Sequence, residues 1–252
     1  MSLQACADIV RKGDPDRFAA AMAAPVEARR VLFPLYAFNV EVARAPWVAS
    51  EPMIGEMRLQ WWRDVLEEIR DERVVRKHEV TSPLAEVLDA EVAEILDRLV
   101  AARRWDLYSD AFEDAGHFAE YLDATGGGLM WAAARILGAG ETVRADVLSL
   151  GRAAGLARFL QAVPDLEARG RIPLVDGRPE AVASLARRTL DEMPKWATLR
   201  QALPGQARFA TNEAWQTRAI LEQVTRLPGR VAEGRLGISE FRKRISLFLS
   251  SR

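Results

Sequence analysis

Cysteine and histidine are nearly missing from this 252-residue chain. Cys6 stands alone, so no intrachain disulfide can close, and with only His78 and His117 there is no histidine/cysteine set for zinc. A reducing compartment fits this usage. Long apolar runs are missing too: no stretch of 18 apolar residues reads as a transmembrane helix. The segment from Met1 to Lys12 carries Asp8 inside its apolar stretch and lacks the basic-then-apolar order of a signal peptide; an organelle import segment is likewise absent. These features predict a cytoplasmic protein of bacterial type. Nor is there an excess of charge. Lys and Arg number 35 against 36 Asp and Glu, a formal net charge of -1, so no long-range field directs the chain to nucleic acid or an anionic bilayer.

What is present is helical periodicity. Leu84, Val87, Leu88, Val92, Ile95, Leu96 and Leu99 recur at three- and four-residue spacing and place one apolar stripe on one helical face. Ser82 offers a cap for that helix and Pro83 suits its first turn, where a missing N–H costs nothing. The same logic predicts helices over about 3–12, 15–23, 25–45, 52–77, 83–105, 112–137, 142–162, 179–193, 207–227 and 237–250. No segment alternates with period two for long enough to demand a strand. The breaks are short, at Pro46 to Ser50, Val80 to Ser82, Gly138 to Glu141 and Gly170 to Pro179. With no linker, repeat or low-complexity tract, residues 1–252 read as a single all-α domain, long enough to enclose a cavity.

Several side chains invite two readings. Gly126, Gly127 and Gly128 interrupt a helical pattern at about 1 kcal/mol each relative to alanine. They mark either close helix packing or a backbone opened toward a pocket. Trp61 and Trp62 point roughly 100° apart on a helix. One belongs to the core or a pocket wall, and the other meets a partner or is covered by a second element of the chain. Asp64, Glu68 and Glu72 share a face, but Arg63, Arg70, Arg73 and Arg76 crowd the same helix, so a solvated, charge-balanced face is the default. Asp110 and Asp114 read as loop or first-turn acids. Asn39 and Glu41, polar within an apolar helix, are buried and hydrogen-bonded or line a cavity.

Three blocks carry a family likeness. The first runs Leu32-Phe-Pro-Leu-Tyr36-Ala-Phe-Asn39-Val-Glu41-Val-Ala-Arg44 and continues into Met57-Arg-Leu-Gln-Trp-Trp-Arg-Asp64. The second is Trp105-Asp106-Leu107, followed by Phe118, Tyr121 and the triple glycine; the third runs from Gly155 to Ile172. From about residue 16 to residue 195 these blocks resemble the squalene/phytoene synthase superfamily. Within it they look most like the non-carotenogenic branch that includes a mitochondrial complex I assembly factor and its alphaproteobacterial relatives. The resemblance implies an isoprenoid-synthase helical bundle around a central cavity.

Active members of that superfamily carry paired aspartates at i, i+4 on two facing helices, because ionising an allylic diphosphate needs magnesium and magnesium demands hard oxygen ligands. By the resemblance, the first pair falls here on Ala43 and Trp47, with a neighbouring arginine position at Val40. The second motif falls on Gly155, Arg158, Ala162 and Leu166. No metal site and no cofactor is therefore expected. The favoured reading is a non-catalytic binding or assembly factor, by resemblance in respiratory complex I maturation, with complex I subunits or assembly intermediates as protein partners and the inner-membrane face as a peripheral location. Its pocket candidates are Tyr36, Asn39, Glu41, Trp62, Gln161 and Arg171. A first alternative is a magnesium-dependent head-to-head prenyl transferase with Asp106 and Asp165 as surviving ligands and Tyr36 and Arg171 on diphosphate. A second is a carrier holding an isoprenoid lipid or quinone tail without reacting it.

Overall fold

The computed structural model describes residues 2–48, 51–239, 243, 246 and 247. Among them there is no strand. Thirteen α-helices are described: α1 (Leu3–Gly13), α2 (Pro15–Met22), α3 (Val26–Val48), α4 (Pro52–Arg70), α5 (Thr81–Ala85), α6 (Ala90–Ala102), α7 (Ala115–Leu122), α8 (Gly128–Ile136), α9 (Arg144–Glu167), α10 (Pro179–Glu192), α11 (Trp196–Ala202), α12 (Thr217–Arg226) and α13 (Gly229–Ala232). Tight 3₁₀ turns fill Arg103–Leu107, Glu141–Val143 and Ala207–Ala214. One apolar core runs from Cys6 to Val231, with Trp131, Tyr36 and Phe38 among its largest buried side chains. Helices α3 and α9, 23 and 24 residues long, are the longest elements. The predicted helix over 237–250 lies mostly outside the described residues.

Several boundaries differ from the sequence reading, each for a local reason. The predicted helix over 83–105 splits. Pro83 does sit in a first turn, but α5 ends at Ala85, and the long helix α6 starts afresh at Ala90, where Asp89 Oδ1 accepts the Val92 N–H at 2.9 Å. Helix α4 stops at Arg70, seven residues short of the expected end; Glu72, with φ of 52°, turns the chain out of the helix. Helix α3 continues through Pro46 to Val48, which carries Trp47 onto the same flank as Ala43. Two other starts follow their side chains: Asp14 accepts the Arg17 N–H ahead of Pro15 in α2, and Asp114 accepts the His117 N–H in α7.

The tryptophan pair resolves within the chain. Trp62 is buried against Phe38 with ring centroids 5.3 Å apart, while Trp61 is covered by the returning 71–80 segment through His78 (5.4 Å) and the Arg76 guanidinium (5.5 Å). Arg76 also pairs with Glu68 at 2.5 Å and lies 3.7 Å from Asp64, so this acidic face is charge-balanced by its own helix and loop.

The triple glycine serves both of its readings. Between α7 and α8 the backbone widens into one π-helical turn, Asp123–Gly127, and packs on α9 at Gly151 and Gly155. A Cβ on Gly126 would lie 2.5 Å from the Gly151 carbonyl oxygen, and one on Gly151 would lie 2.8 Å from the Gly127 Cα. Only glycine lets these two backbones approach so closely, and Gly126 at the same time lines the central cavity. Replacing Gly126 by Ala is expected to destabilise the fold by about 1–3 kcal/mol through overpacking against backbone that cannot move aside. Gly177, with open space around its Cα, should accept Ala within about 0.5 kcal/mol. Urea unfolding of both variants checks this, and equal midpoint shifts would contradict it.

Candidate functional site

A cavity of about 240 Å³ lies between α3, α9, the π-helical turn and the Arg103–Leu107 turn. Its apolar wall is Ala43, Pro46 and Trp47 from α3, Leu122 and Gly126 from the turn region, and Phe159, Ala162 and Leu166 from α9. Trp105, Phe112, Phe118, Tyr121 and Phe159 pack edge and face behind it, with Trp105 stacked on Phe112 at 3.8 Å. Six positions that the family resemblance assigns to the two metal motifs therefore converge on one space: Ala43, Trp47, Gly155, Arg158, Ala162 and Leu166. Val40 is buried and does not line it.

The polar lining is mostly arginine, with Asp106, Tyr121 and Thr125 beside it. Arg17, Arg103, Arg158, Arg169 and Arg171 face the cavity, whereas Asp106 is the one carboxylate among the described lining residues. Asp106 is already engaged. Arg103 Nη1 donates to it at 3.0 Å, and the Tyr121 hydroxyl donates to its two oxygens at 3.0 and 3.1 Å. Burial pushes the Tyr121 hydroxyl up, out of the range where it would ionise. Arg171 follows the left-handed turn at Gly170, φ +75°, which brings the chain back from the end of α9. Its Nη1 and Nη2 donate to the Asp106 and Trp105 carbonyls at 2.5 and 2.8 Å while its guanidinium stacks 4.1 Å over Trp105. Burial lowers the Arg171 pKa, with Asp106 pulling the other way.

Beneath the cavity lies a buried ion network. Arg17 Nε donates to Glu213 Oε2 at 2.5 Å and its Nη1 to Asp14 at 2.8 Å; Arg158 reaches the same Glu213 oxygen at 3.2 Å and the Glu213 carbonyl at 3.0 Å. The Glu213 side chain is 1% exposed, so the attraction acts in a low dielectric. Burial works against the Arg17 charge, but Glu213 and Asp14 outweigh it and raise its pKa; Asp14, despite its own burial, is held below the usual carboxylate range by Arg17 and Arg158.

Of the residues singled out in the sequence, Asp106 and Arg171 line this cavity. Tyr36 does not. It is 1% exposed, its hydroxyl has no hydrogen-bond partner among the described residues, and burial followed by the nearby Glu213 charge pushes its pKa up. Arg17 lies over its ring at 5.7 Å. Asp165 is exposed, and Gln161, half-buried, donates to the Leu236 carbonyl at 3.4 Å. Asn39 and Trp62 are buried in the core, and Glu41 lies in a separate cleft between α1 and α3, 3.5 Å from Arg44. The residues not anticipated are Arg17, Arg103, Arg169, Asp14 and Glu213. Two local pairings, Asp14 with Arg17 and Arg103 with Asp106, each three residues apart, were the readable signals among them.

Magnesium does not fit this donor set. It needs several hard oxygen ligands around one point, and the cavity presents five guanidiniums, alanine, tryptophan and leucine around a single, engaged carboxylate. No group of three or more His, Cys, Asp or Glu side chains converges to hold a metal among the described residues.

This architecture is the all-α isoprenoid synthase fold. It superposes on a dehydrosqualene synthase solved in complex with ligand with a TM-score of 0.77 at 16% identity, covering 98% of this chain and 94% of that one. The squalene synthase HpnC from Alicyclobacillus acidocaldarius gives a TM-score of 0.73 at 16% identity, covering 94% and 95%. The squalene/phytoene synthase family profile matches residues 10–232, and the chain belongs to that family. Among curated proteins it is similar to NADH dehydrogenase (ubiquinone) complex I, assembly factor 6. Identity is 27% to the human protein, over 63% of this chain and 48% of that one, and 30% to the Drosophila melanogaster homolog, over 68% and 53%. The chain thus spans about half the length of the curated relatives it matches.

The buried network yields a stability prediction. Glu213→Ala leaves Arg17 buried beside a lost countercharge and should cost roughly 3–5 kcal/mol, whereas Glu141→Ala, which removes an exposed partner of Arg144, should leave the unfolding midpoint nearly unchanged. Guanidinium unfolding measures both. Equal effects would show that burial does not set the strength of the Glu213 contacts.

Proposed function

We propose that this protein is a non-catalytic member of the squalene/phytoene synthase family and serves as a binding or assembly factor in the maturation of respiratory complex I. The observation that carries the first half is the composition of the cavity wall. Ala43, Trp47, Ala162 and Leu166 occupy the seats of the acidic ligands, and arginines stand where a cationic cofactor would need anionic partners. Ionising an allylic diphosphate requires the leaving charge to be neutralised and the carbocation to be tolerated. A lining with five guanidiniums serves the first need without metal but works against the second. Volume points the same way: 240 Å³ lies below the roughly 300–1,000 Å³ usual for small-molecule sites, too little for two isoprenoid chains to meet head to head.

The second half rests on the relatives. Proteins from human, bovine, murine, rat and fly sources that are similar over about two thirds of this chain are named for assembly of complex I. In this reading the retained shell is a binding scaffold, and its partners are complex I subunits or assembly intermediates. No helix among the described residues is long and apolar enough to cross a membrane; in this reading the protein meets membrane-bound intermediates at the membrane face.

Deleting the gene should lower NADH:ubiquinone oxidoreductase activity in isolated membranes while carotenoid and hopanoid levels stay unchanged. Complementation with Asp106→Asn, which removes the last acidic side chain in the cavity wall, should restore that activity when soluble protein is present at wild-type amount. Lost isoprenoid products on deletion, or diphosphate released from geranylgeranyl diphosphate by purified protein with magnesium, would contradict the proposal.

A further inference from the structure

The formal net charge of -1 conceals an uneven distribution. Residues 193–252 hold 11 of the 35 Lys and Arg but only 4 of the 36 Asp and Glu, so this end of the chain is +7 and the remainder is -8. Packing keeps the two signs apart. Residues 51–100, with 13 acids against 7 bases, build α4 and α6. Helix α6 packs on α8, α8 packs on α9 and the Ala207–Ala214 turn, and α11, α12 and α13 lie beyond these. Helix α10, packed on α12, changes the balance by one charge, with Arg187 and Arg188 against Glu180, Asp191 and Glu192. Of the three carboxylates in the described part of the basic end, Glu213 is turned inward and engaged by Arg17 and Arg158.

The cations of this end are exposed and weakly answered. Lys195, Arg208 and Arg226 make no ion pair among the described residues, and Arg208 only covers the Phe209 ring at 5.0 Å. Arg218 lies 3.8 Å from Glu222, and Arg235 pairs with Glu233 at 3.3 Å. Arg200 donates to three neutral oxygens, those of the Arg208 carbonyl, Thr211 and Asn212; burial, then the neighbouring Arg208 charge, lowers its pKa. Like charges are thus gathered without a matching set of carboxylates, and they repel until an outside anion screens them. At physiological ionic strength fields fade over about 8 Å, so a surface touching this end responds to the local charge and not to the net charge of the molecule.

Among the described residues the aromatic side chains of this end are taken. Phe209 and Trp215 are buried, and half-buried Trp196 lies under Arg200 and donates to Thr211 at 3.0 Å, so none is open to stack on a base. Leu227, 52% exposed, instead sets an apolar side chain between Arg226 and Arg230. Further along, the sequence joins Arg242, Lys243 and Arg244 to Ile245, Leu247 and Phe248. Basic and apolar residues side by side suit the headgroup region of an anionic bilayer. We infer that this end, through Lys195, Arg208, Arg218 and Arg226 beside Leu227, is a docking surface for an anionic lipid bilayer. The inference rests on the assembly-factor reading for the presence of a membrane, and it names the surface that meets it.

Sedimentation of the full chain with vesicles tests it, using phosphatidylcholine alone and phosphatidylcholine with a third of it replaced by phosphatidylglycerol. The protein should sediment with the anionic vesicles, dissociate from them as salt is raised, and stay in solution with the neutral ones. Lys195→Glu combined with Arg226→Glu should weaken binding by about tenfold or more, since each basic residue near an anionic leaflet is worth about fivefold in partitioning. Arg98→Glu, an exposed change on acidic α6, should leave binding unchanged. Matching thermal unfolding of the variants checks the fold, and the lipid and salt dependence of the wild type needs no variant. Equal binding to both kinds of vesicle, binding to neither, or a folded double variant that binds as the wild type does overturns the inference. Tighter binding of a single-stranded oligonucleotide or of polyglutamate than of anionic vesicles also overturns it, and gives the surface to nucleic acid or to an acidic protein. NADH:ubiquinone oxidoreductase activity on gene deletion is read separately, so failure of the docking surface and failure of the assembly reading are distinguishable.

Discussion

A guanidinium taken out of water has to be answered by carboxylates, backbone carbonyls or an aromatic face, and much of this structure follows from how its arginines are answered. Glu213 does most of that work. It draws Arg17 of α2 and Arg158 of α9 to the Ala207–Ala214 turn, joining elements up to 196 residues apart in sequence through contacts of 2.5 and 3.2 Å. Such a network gives little net stability over apolar packing of the same shape, but it punishes any rearrangement that separates its members. It therefore fixes the floor of the cavity more strictly than it strengthens the fold. Asp14 both caps α2 and holds the same arginine, so the helix start and the cavity floor depend on one side chain.

The family's architecture survives around that floor, while the electrostatics of the cavity has reversed sign. A site for magnesium concentrates negative charge, whose mutual repulsion the metal relieves. Here the wall concentrates positive charge, and the aromatic ring of Trp47, in the seat of an aspartate, is covered by a guanidinium. A fold shared with a dehydrosqualene synthase and a squalene synthase at 16% identity does not by itself fix function.

The sequence disclosed this site unevenly. Ala43 with Trp47, and Ala162 with Leu166, were placed correctly because four-residue spacing on a long helix leaves little freedom in where side chains point. The close packing at the triple glycine was legible for a similar reason, since consecutive glycines within a helix demand an explanation. Its π-helical turn was not, because hydrogen-bond register carries no composition of its own. Ser82 falls inside α5 and does not cap it, whereas Asp89 starts α6. Tyr36 and Asp165 shared motifs with cavity residues yet face elsewhere, one into the core and one into solvent. The Arg17 and Glu213 pairing could not be read at all: nothing local marks two charged residues on distant segments as partners until tertiary structure brings them together.

The cavity's positive lining should exclude the divalent cation on which the family's chemistry depends. Electron paramagnetic resonance of manganese(II), a spectroscopic surrogate for magnesium, tests it directly. Adding the protein to dilute manganese(II) should leave the six-line signal of the free ion at full intensity. Loss of that signal at a stoichiometry of one or more ions per chain, restored by Asp106→Ala, would contradict the account.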